Sequence, residues 1–144
     1  MVHDESSLQA DSLKISCLLV DDDEDDKEIF CLALAEVDPS IQCYIASDGI
    51  EALEMLSNPA FTPDYIFLDL NMPLMSGKEC LIEIKKRPHL GKTSVIIFST
   101  SASQKDIEDT IELGASAFIT KPPLISTLTG KLLQVFHGGS EVRR

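Results

Sequence analysis

The sequence predicts a doubly wound α/β fold: a five-stranded parallel sheet with helices on both faces. Two observations carry this. Short apolar runs alternate five times with stretches of helical spacing, over short connections and without a linker or internal repeat, as strands joined by crossover helices do. The clearest run, Tyr65 to Leu68, is continuously apolar, as a strand covered on both faces must be, and it stops abruptly at Asp69.

Ile15 to Val20 is the first predicted strand, and it runs straight into six consecutive acids, Asp21 to Asp26. A helix follows on Phe30, Ala33, Leu34 and Val37, and Pro39 ends it. In the second strand Ile41, Cys43 and Ile45 alternate with more polar positions, as on a sheet edge. Asp48 with Glu51 three residues on reads as a capping box opening a helix that carries Ile50, Leu53 and Leu56, and Asn58-Pro59 stops it. The third strand is Tyr65 to Leu68, and a helix from about Lys78 to Arg87 ends before Pro88. Val95 to Phe98 is the fourth strand. Ser103 with Asp106 then caps a helix carrying Ile107 and Ile111, which Gly114 closes. A short fifth strand, Ala117 to Ile119, leads through Thr120-Lys121-Pro122 to a last helix on Ile125, Leu128, Leu132 and Phe136.

The 144 residues suit one domain with a proper core, placed at 14–136 between polar tails at 1–13 and 137–144. No apolar run approaches the length that spans a bilayer, and the first residues lack the pattern of a signal peptide, so a cytoplasmic location is expected. A formal net charge of −12 argues against binding nucleic acid through its phosphates and favours a cation or a basic partner. Cys17, Cys31, Cys43 and Cys80 have neither C-x-x-C nor zinc spacing, and they read as buried, reduced thiols.

Four of the five strands end in residues capable of chemistry: Asp21-Asp22, Asp69, Ser99 and Lys121. In an open parallel sheet all four ends share one edge, where such folds bind ligands. Asp23 to Asp26 are expected to face solvent and complement the helix dipole. Asp21, Asp22 and Asp69 together make a carboxylate cluster whose repulsion asks for a hard divalent cation. A calcium loop of EF-hand type fits badly, with Asp26 where Gly is needed and Leu32 where Glu is needed, so Mg²⁺ is the better match. Asp69 could serve as a metal ligand alone or as a nucleophile. The lysine and the serine hydroxyl at the same edge favour nucleophilic attack on a phosphoryl group, where positioning and charge neutralisation dominate.

With these residues in view, the chain resembles a receiver domain of the two-component response regulators. The matching pieces are Leu18-Leu19-Val20-Asp21-Asp22, Asp69-Leu70-Asn71-Met72-Pro73 with Gly77, Ser99-Thr100 and Lys121-Pro122, in order over residues 14–136. The resemblance implies a flavodoxin-like strand order 2-1-3-4-5. It implies a phosphoacceptor signalling protein, not an enzyme, that assists its own phosphotransfer and dephosphorylation. Asp69 would accept the phosphoryl group from a sensor histidine kinase or histidine phosphotransfer protein. Asp22, Asp69 and the Asn71 carbonyl would bind Mg²⁺, with Asp21 acting mainly through water. Ser99, Thr100 and Lys121 would contact the phosphoryl group. Ser99 moving toward that group would let Phe118 swing inward, changing the face of the fourth helix, fifth strand and fifth helix for a downstream protein or onward phosphorelay. A homodimer through that region is compatible with this reading. Within the family it resembles the stand-alone receivers that pair with phytochrome-type and hybrid kinases, particularly in the Asn-Met-Pro and Ser-Thr-Ser segments.

Departures from the family pattern carry their own expectations. Ser99 replaces the commoner Thr and keeps the hydroxyl, and Phe118 stands where Tyr is frequent. Thr100 replaces Ala and would crowd the phosphoryl group, while Asn71 and Ser101 lack an acid or base to orient water, so self-dephosphorylation should be slow. Two rivals differ in class. A phosphatase of haloacid-dehalogenase type would need a second Asp where Asn71 stands, and a pseudo-receiver would not be expected to keep Asp22, Asp69, Ser99 and Lys121 together.

Overall fold

The structure, a computed structural model, describes residues 14–137. The tails expected at either end lie outside the described residues, except for His137. Five parallel strands, β1 (Ser16–Val20), β2 (Gln42–Ala46), β3 (Tyr65–Leu68), β4 (Ser94–Ser99) and β5 (Ala117–Thr120), form one sheet in the order β2-β1-β3-β4-β5. Five helices alternate with them: α1 (Glu24–Val37), α2 (Gly49–Leu56), α3 (Gly77–Lys85), α4 (Gln104–Glu112) and α5 (Ile125–His137). The expected fold class and strand order are those found. His137 closes α5 rather than opening a tail, a one-residue difference of the kind that helix ends show.

The sheet splits the core in two. On one face Phe30, Ala33 and Leu34 of α1 meet Leu128, Leu132 and Val135 of α5 over Phe67 and Phe98. Phe30 lies edge-on to Phe67 at 4.9 Å between ring centroids, and Tyr65 stands edge-on to Phe136 at 4.9 Å. On the other face α2 and α3 contribute Ala52, Leu56, Leu81 and Ile84 against Leu18, Val20, Ile66 and Leu68. Strand β3 is therefore buried on both sides, which explains why its sequence does not alternate. Helix α4 is the exception, since Thr110 is its only fully buried residue. That hydroxyl is satisfied by donating to the Asp106 carbonyl at 2.8 Å.

Several local expectations need correction. Ile45, Ile50 and Ile111, which belong to the apolar patterns of their elements, stand exposed. In α2 the small residues Gly49 and Ala52 turn inward with Leu56, which rotates the buried stripe away from Ile50. Asp48 does cap α2, accepting from the Glu51 amide at 2.8 Å, but the Glu51 carboxylate reaches back to the Ser47 amide, one residue before the position a capping box requires. The reciprocal box is instead at α3, where Ser76 and Glu79 bond each other's amides. After α3 a 3₁₀ turn, Pro88–Leu90, absorbs the residues before β4. All four cysteines are free thiols, but only Cys17 and Cys80 are buried; Cys31 and Cys43 are half-buried, on a helix flank and an edge strand.

The turn after β3 positions the site. Gly77 opens α3 directly against the strand end, its amide donating to the Leu70 carbonyl at 2.8 Å. A Cβ there would sit 2.2 Å from the Asp69 carbonyl oxygen and 2.6 Å from the Leu70 Cα, both backbone atoms with nowhere to go. Replacing Gly77 by Ala should therefore lower unfolding stability by about 3 kcal/mol in a urea titration, at the upper end of overpacking costs. A loss below half of that would mean the turn is softer than its packing implies.

Candidate functional site

The carboxyl edge of the sheet is held by ladder hydrogen bonds that continue one residue past the strands. The Asp21 amide donates to the Ala46 carbonyl at 3.1 Å, the Asp69 amide to Val20 at 3.0 Å and the Lys121 amide to Ser99 at 2.8 Å. Asp21, Asp69 and Lys121 thus leave the sheet from fixed backbone, side by side on β1, β3 and β5, with Ser99 ending β4. The order β2-β1-β3-β4-β5 reverses direction between β1 and β3, so Asp21 and Asp69 flank the topological switch point.

Asp21 is fully buried and Asp69 is 6% exposed, whereas Asp22 faces solvent. The three carboxylates bring one oxygen each within 4.8 Å of one another. The Lys121 ammonium lies 2.8 Å from Asp21 Oδ2 and 3.4 Å from Asp69 Oδ2, and 5.4 Å from the centroid of the Phe98 ring. The sequence reading brought these residues together, and the structure does the same.

One expectation fails here. Asp26 was assigned to solvent with its neighbours, but its carboxylate bonds the Lys121 ammonium at 2.8 Å. The reason lies in the first turn of α1. Asp23 is the N-cap, accepting from the Asp26 amide at 2.9 Å, so Asp26 falls one helical turn in, on the side facing the pocket. Asp23 in turn donates its amide to Asp21 Oδ1 at 2.9 Å. Only the register of that turn separates Asp26 from Asp25, which is why an unbroken acidic run gave no sign of it.

The rim of the pocket is polar. Asn71 donates its amide to Asp69 Oδ1 at 3.3 Å and its side-chain nitrogen to Ser101 Oγ at 3.3 Å, while the Ser101 amide reaches Ser99 Oγ at 3.4 Å. Ser99 is completely buried and Thr100 is exposed beside it. Phe118 is only 4% exposed and packs in the core on the side of α2 and α3. Lys78, next to Gly77, pairs with Asp106 at 2.8 Å and Asp109 at 3.0 Å, tying α3 to the lightly packed α4. Sequence reading missed this bridge, whose partners are about thirty positions apart and carry no local signal.

Burial pushes the Asp69 carboxyl above its ordinary range, opposed by Lys121, and does the same to Asp21. Burial also works against the Lys121 charge, but the adjacent carboxylates of Asp21 and Asp26 prevail and hold its pKa above the usual lysine value. One lysine thus faces two buried carboxylates whose ionisation it does not fully compensate. No hydrogen bond of good geometry reaches Asp21 Oδ2, although the ammonium is close. An acceptor oxygen in that state, within a trio of carboxylates, fits a hard divalent cation that takes oxygen ligands.

Comparison with known proteins points the same way. The profile of the response regulator receiver domain matches residues 17–132. Response regulator Rcp1 of Synechocystis sp. is 31% identical over 109 residues, covering 72% of this chain and 74% of Rcp1. Among solved structures, that of the phosphorylated cyanobacterial phytochrome response regulator RcpA superposes with a TM-score of 0.76 at 33% identity, covering 85% of this chain and 93% of that one. The Mn²⁺-bound form of Rcp1 gives a TM-score of 0.74 at 28% identity, covering 84% and 91%.

The raised carboxyl pKa values set a pH dependence. A carboxyl whose folded pKa exceeds its unfolded value adds stability below the unfolded pKa, and that contribution is lost as pH rises through the folded pKa. Near neutral pH the ionised, buried Asp69 therefore weakens the fold. Asp69→Asn, measured without divalent cations, should raise stability at pH 7 by on the order of 1 kcal/mol. The gain should shrink toward zero as pH falls through the carboxylate range, where wild-type Asp69 takes up its proton. A variant less stable than wild type at pH 7 would contradict this assignment.

Proposed function

Since the chain belongs to the response regulator receiver domain family, we propose that Asp69 is its phosphoacceptor and that the pocket around it works with Mg²⁺. The observation that carries this reading is the convergence, at one sheet edge, of a buried carboxylate trio and an ammonium shared between Asp21 and Asp69. In a transfer from phosphohistidine, an Asp69 oxygen attacks phosphorus, and the new P–O bond forms as the donor's P–N bond breaks. Lys121 already stands beside the attacking oxygen, where it neutralises charge on the phosphoryl oxygens. The buried Ser99 hydroxyl donates to the same group from β4, and the exposed Thr100 borders it.

Asp22 and Asp69, with the Asn71 carbonyl, would hold the cation directly, and Asp21 would act chiefly through water. When bound, Mg²⁺ would supply charge neutralisation for the incoming phosphoryl oxygens. The Mn²⁺-bound form of Rcp1 supports a divalent ion of this kind.

Asn71 and Ser101, bonded to each other across the mouth, offer no carboxylate or amine to orient an attacking water. Slow self-dephosphorylation follows. The phosphoryl group would come from a histidine kinase or phosphotransfer protein, and likeness to the phytochrome response regulator RcpA supports a regulator in a phytochrome-type pathway. Likeness to Rcp1 also supports stand-alone action. The readout is proposed for the face of α4, β5 and α5, with Phe118 beneath it. Four free thiols suit the cytoplasm, and among the described residues no helix is long and apolar enough to cross a membrane.

Intact mass after incubation with acetyl phosphate and Mg²⁺ is the direct test. Wild type should gain one phosphoryl group, lose that ability with excess chelator, and show none in Asp69→Asn. The adduct should decay over minutes or longer. Decay within seconds would overturn the reading of Asn71 and Ser101. No adduct would leave a protein-binding pseudo-receiver, and sustained phosphate release without an adduct would indicate a phosphatase.

A further inference from the structure

The Lys121 ammonium is committed unevenly. Its two short contacts, 2.8 Å each, go to Asp21 and Asp26, and its longest, 3.4 Å, goes to Asp69. The carboxylate proposed to react is thus the one the lysine holds least. Asp21 and Asp69 belong to the carboxylate trio, and a cation settled there would weaken the hold of both on an ammonium. Asp26 lies outside the trio, so its hold survives. Both ends of the bridge are set by backbone: Asp26 by the cap of α1, and Lys121 by the hydrogen bond its amide donates to the Ser99 carbonyl. The pair joins residues 95 positions apart, with the lysine side chain 8% exposed and the aspartate 30%.

We propose that Asp26 is a positioning residue that draws the Lys121 ammonium toward α1, away from Asp69, and so sets how readily Lys121 turns to a phosphoryl oxygen. This rests on the reading of Asp69 as phosphoacceptor. Lysine has three donors and one charge. Contact with a new phosphoryl oxygen requires it to loosen a carboxylate, and once a cation relieves Asp21 the remaining competitor is Asp26. Removing the Asp26 charge frees that donor without touching the cation's proposed ligands.

The test is the rate of adduct formation from acetyl phosphate at varied Mg²⁺, followed by intact mass on the full chain. Asp26→Asn should phosphorylate roughly two- to fivefold faster than wild type, the range expected when a partly exposed ion pair is released. The Mg²⁺ concentration for half-maximal rate should stay unchanged, because the ligand set is intact. Asp26→Glu, which keeps the charge and the reach, should restore the wild-type rate. In a Lys121→Met background Asp26→Asn should leave the residual rate unchanged, since there is no ammonium to release. Equal rates in wild type and Asp26→Asn would overturn the proposal, as would the same acceleration with and without Lys121, which would indicate general charge repulsion. Those outcomes leave the phosphoacceptor reading standing. A wild type that forms no adduct at all would overturn that reading and this one with it.

Discussion

The structure depends on one compromise: two carboxylates are buried at the end of a parallel sheet, and a single ammonium is placed between them. Asp21 and Asp69 project from the strands that flank the switch point, where backbone ladder bonds leave them no freedom to turn outward. Ionised and unaided, each would carry a desolvation cost of several kcal/mol. Lys121 offsets part of this, and its own raised pKa reflects how fully its charge is used. What remains uncompensated makes the pocket receptive. A site whose negative charge was already balanced would have no call for a further cation, and neutral Asp69 would be a poor nucleophile.

Close backbone packing connects that pocket to the rest of the fold. Gly77 lets α3 begin against the Asp69 carbonyl, and the next residue, Lys78, grips two aspartates of α4. Helix α4 fully buries only Thr110 and packs Ile107 against the core, and these ion pairs add a link to α3. The end of β3 is thereby linked to α4 through Gly77 and Lys78. The strongly packed α1 and α5, interlocked over Phe30, Phe67 and Phe98, offer no comparable looseness.

Much of this was legible in the sequence because the fold is built from strong periodic signals. Five apolar runs, the caps Asp48 and Ser103, and the stop at Gly114 are local features, and each lies where expected. The strand-end residues Asp21, Asp69, Ser99 and Lys121 could be brought together because a parallel sheet places every carboxyl end on one edge. What escaped was rotational or long-range. Ile50 faces out because Gly49, Ala52 and Leu56 define the buried stripe, and an apolar residue beside such a stripe looks no different in sequence. The Lys78 bridge depends on packing between elements, to which local periodicity is blind.

Asp26 is the most instructive of these cases. In sequence it is one acid among six, and the usual reading of such a run as a solvated face is correct for most of its members. Its distinction arises from the cap. Once Asp23 takes the N-cap, helical geometry turns Asp26 toward the pocket and leaves Asp25 in solvent. A helix cap thereby selects which carboxylate reaches the lysine. The same cap residue donates its amide to Asp21, so the first turn of α1 holds both carboxylates that compete with Asp69 for Lys121. The balance of charge at the proposed phosphoacceptor is thus set partly by the start of a helix, several residues away from any atom proposed to touch the phosphoryl group.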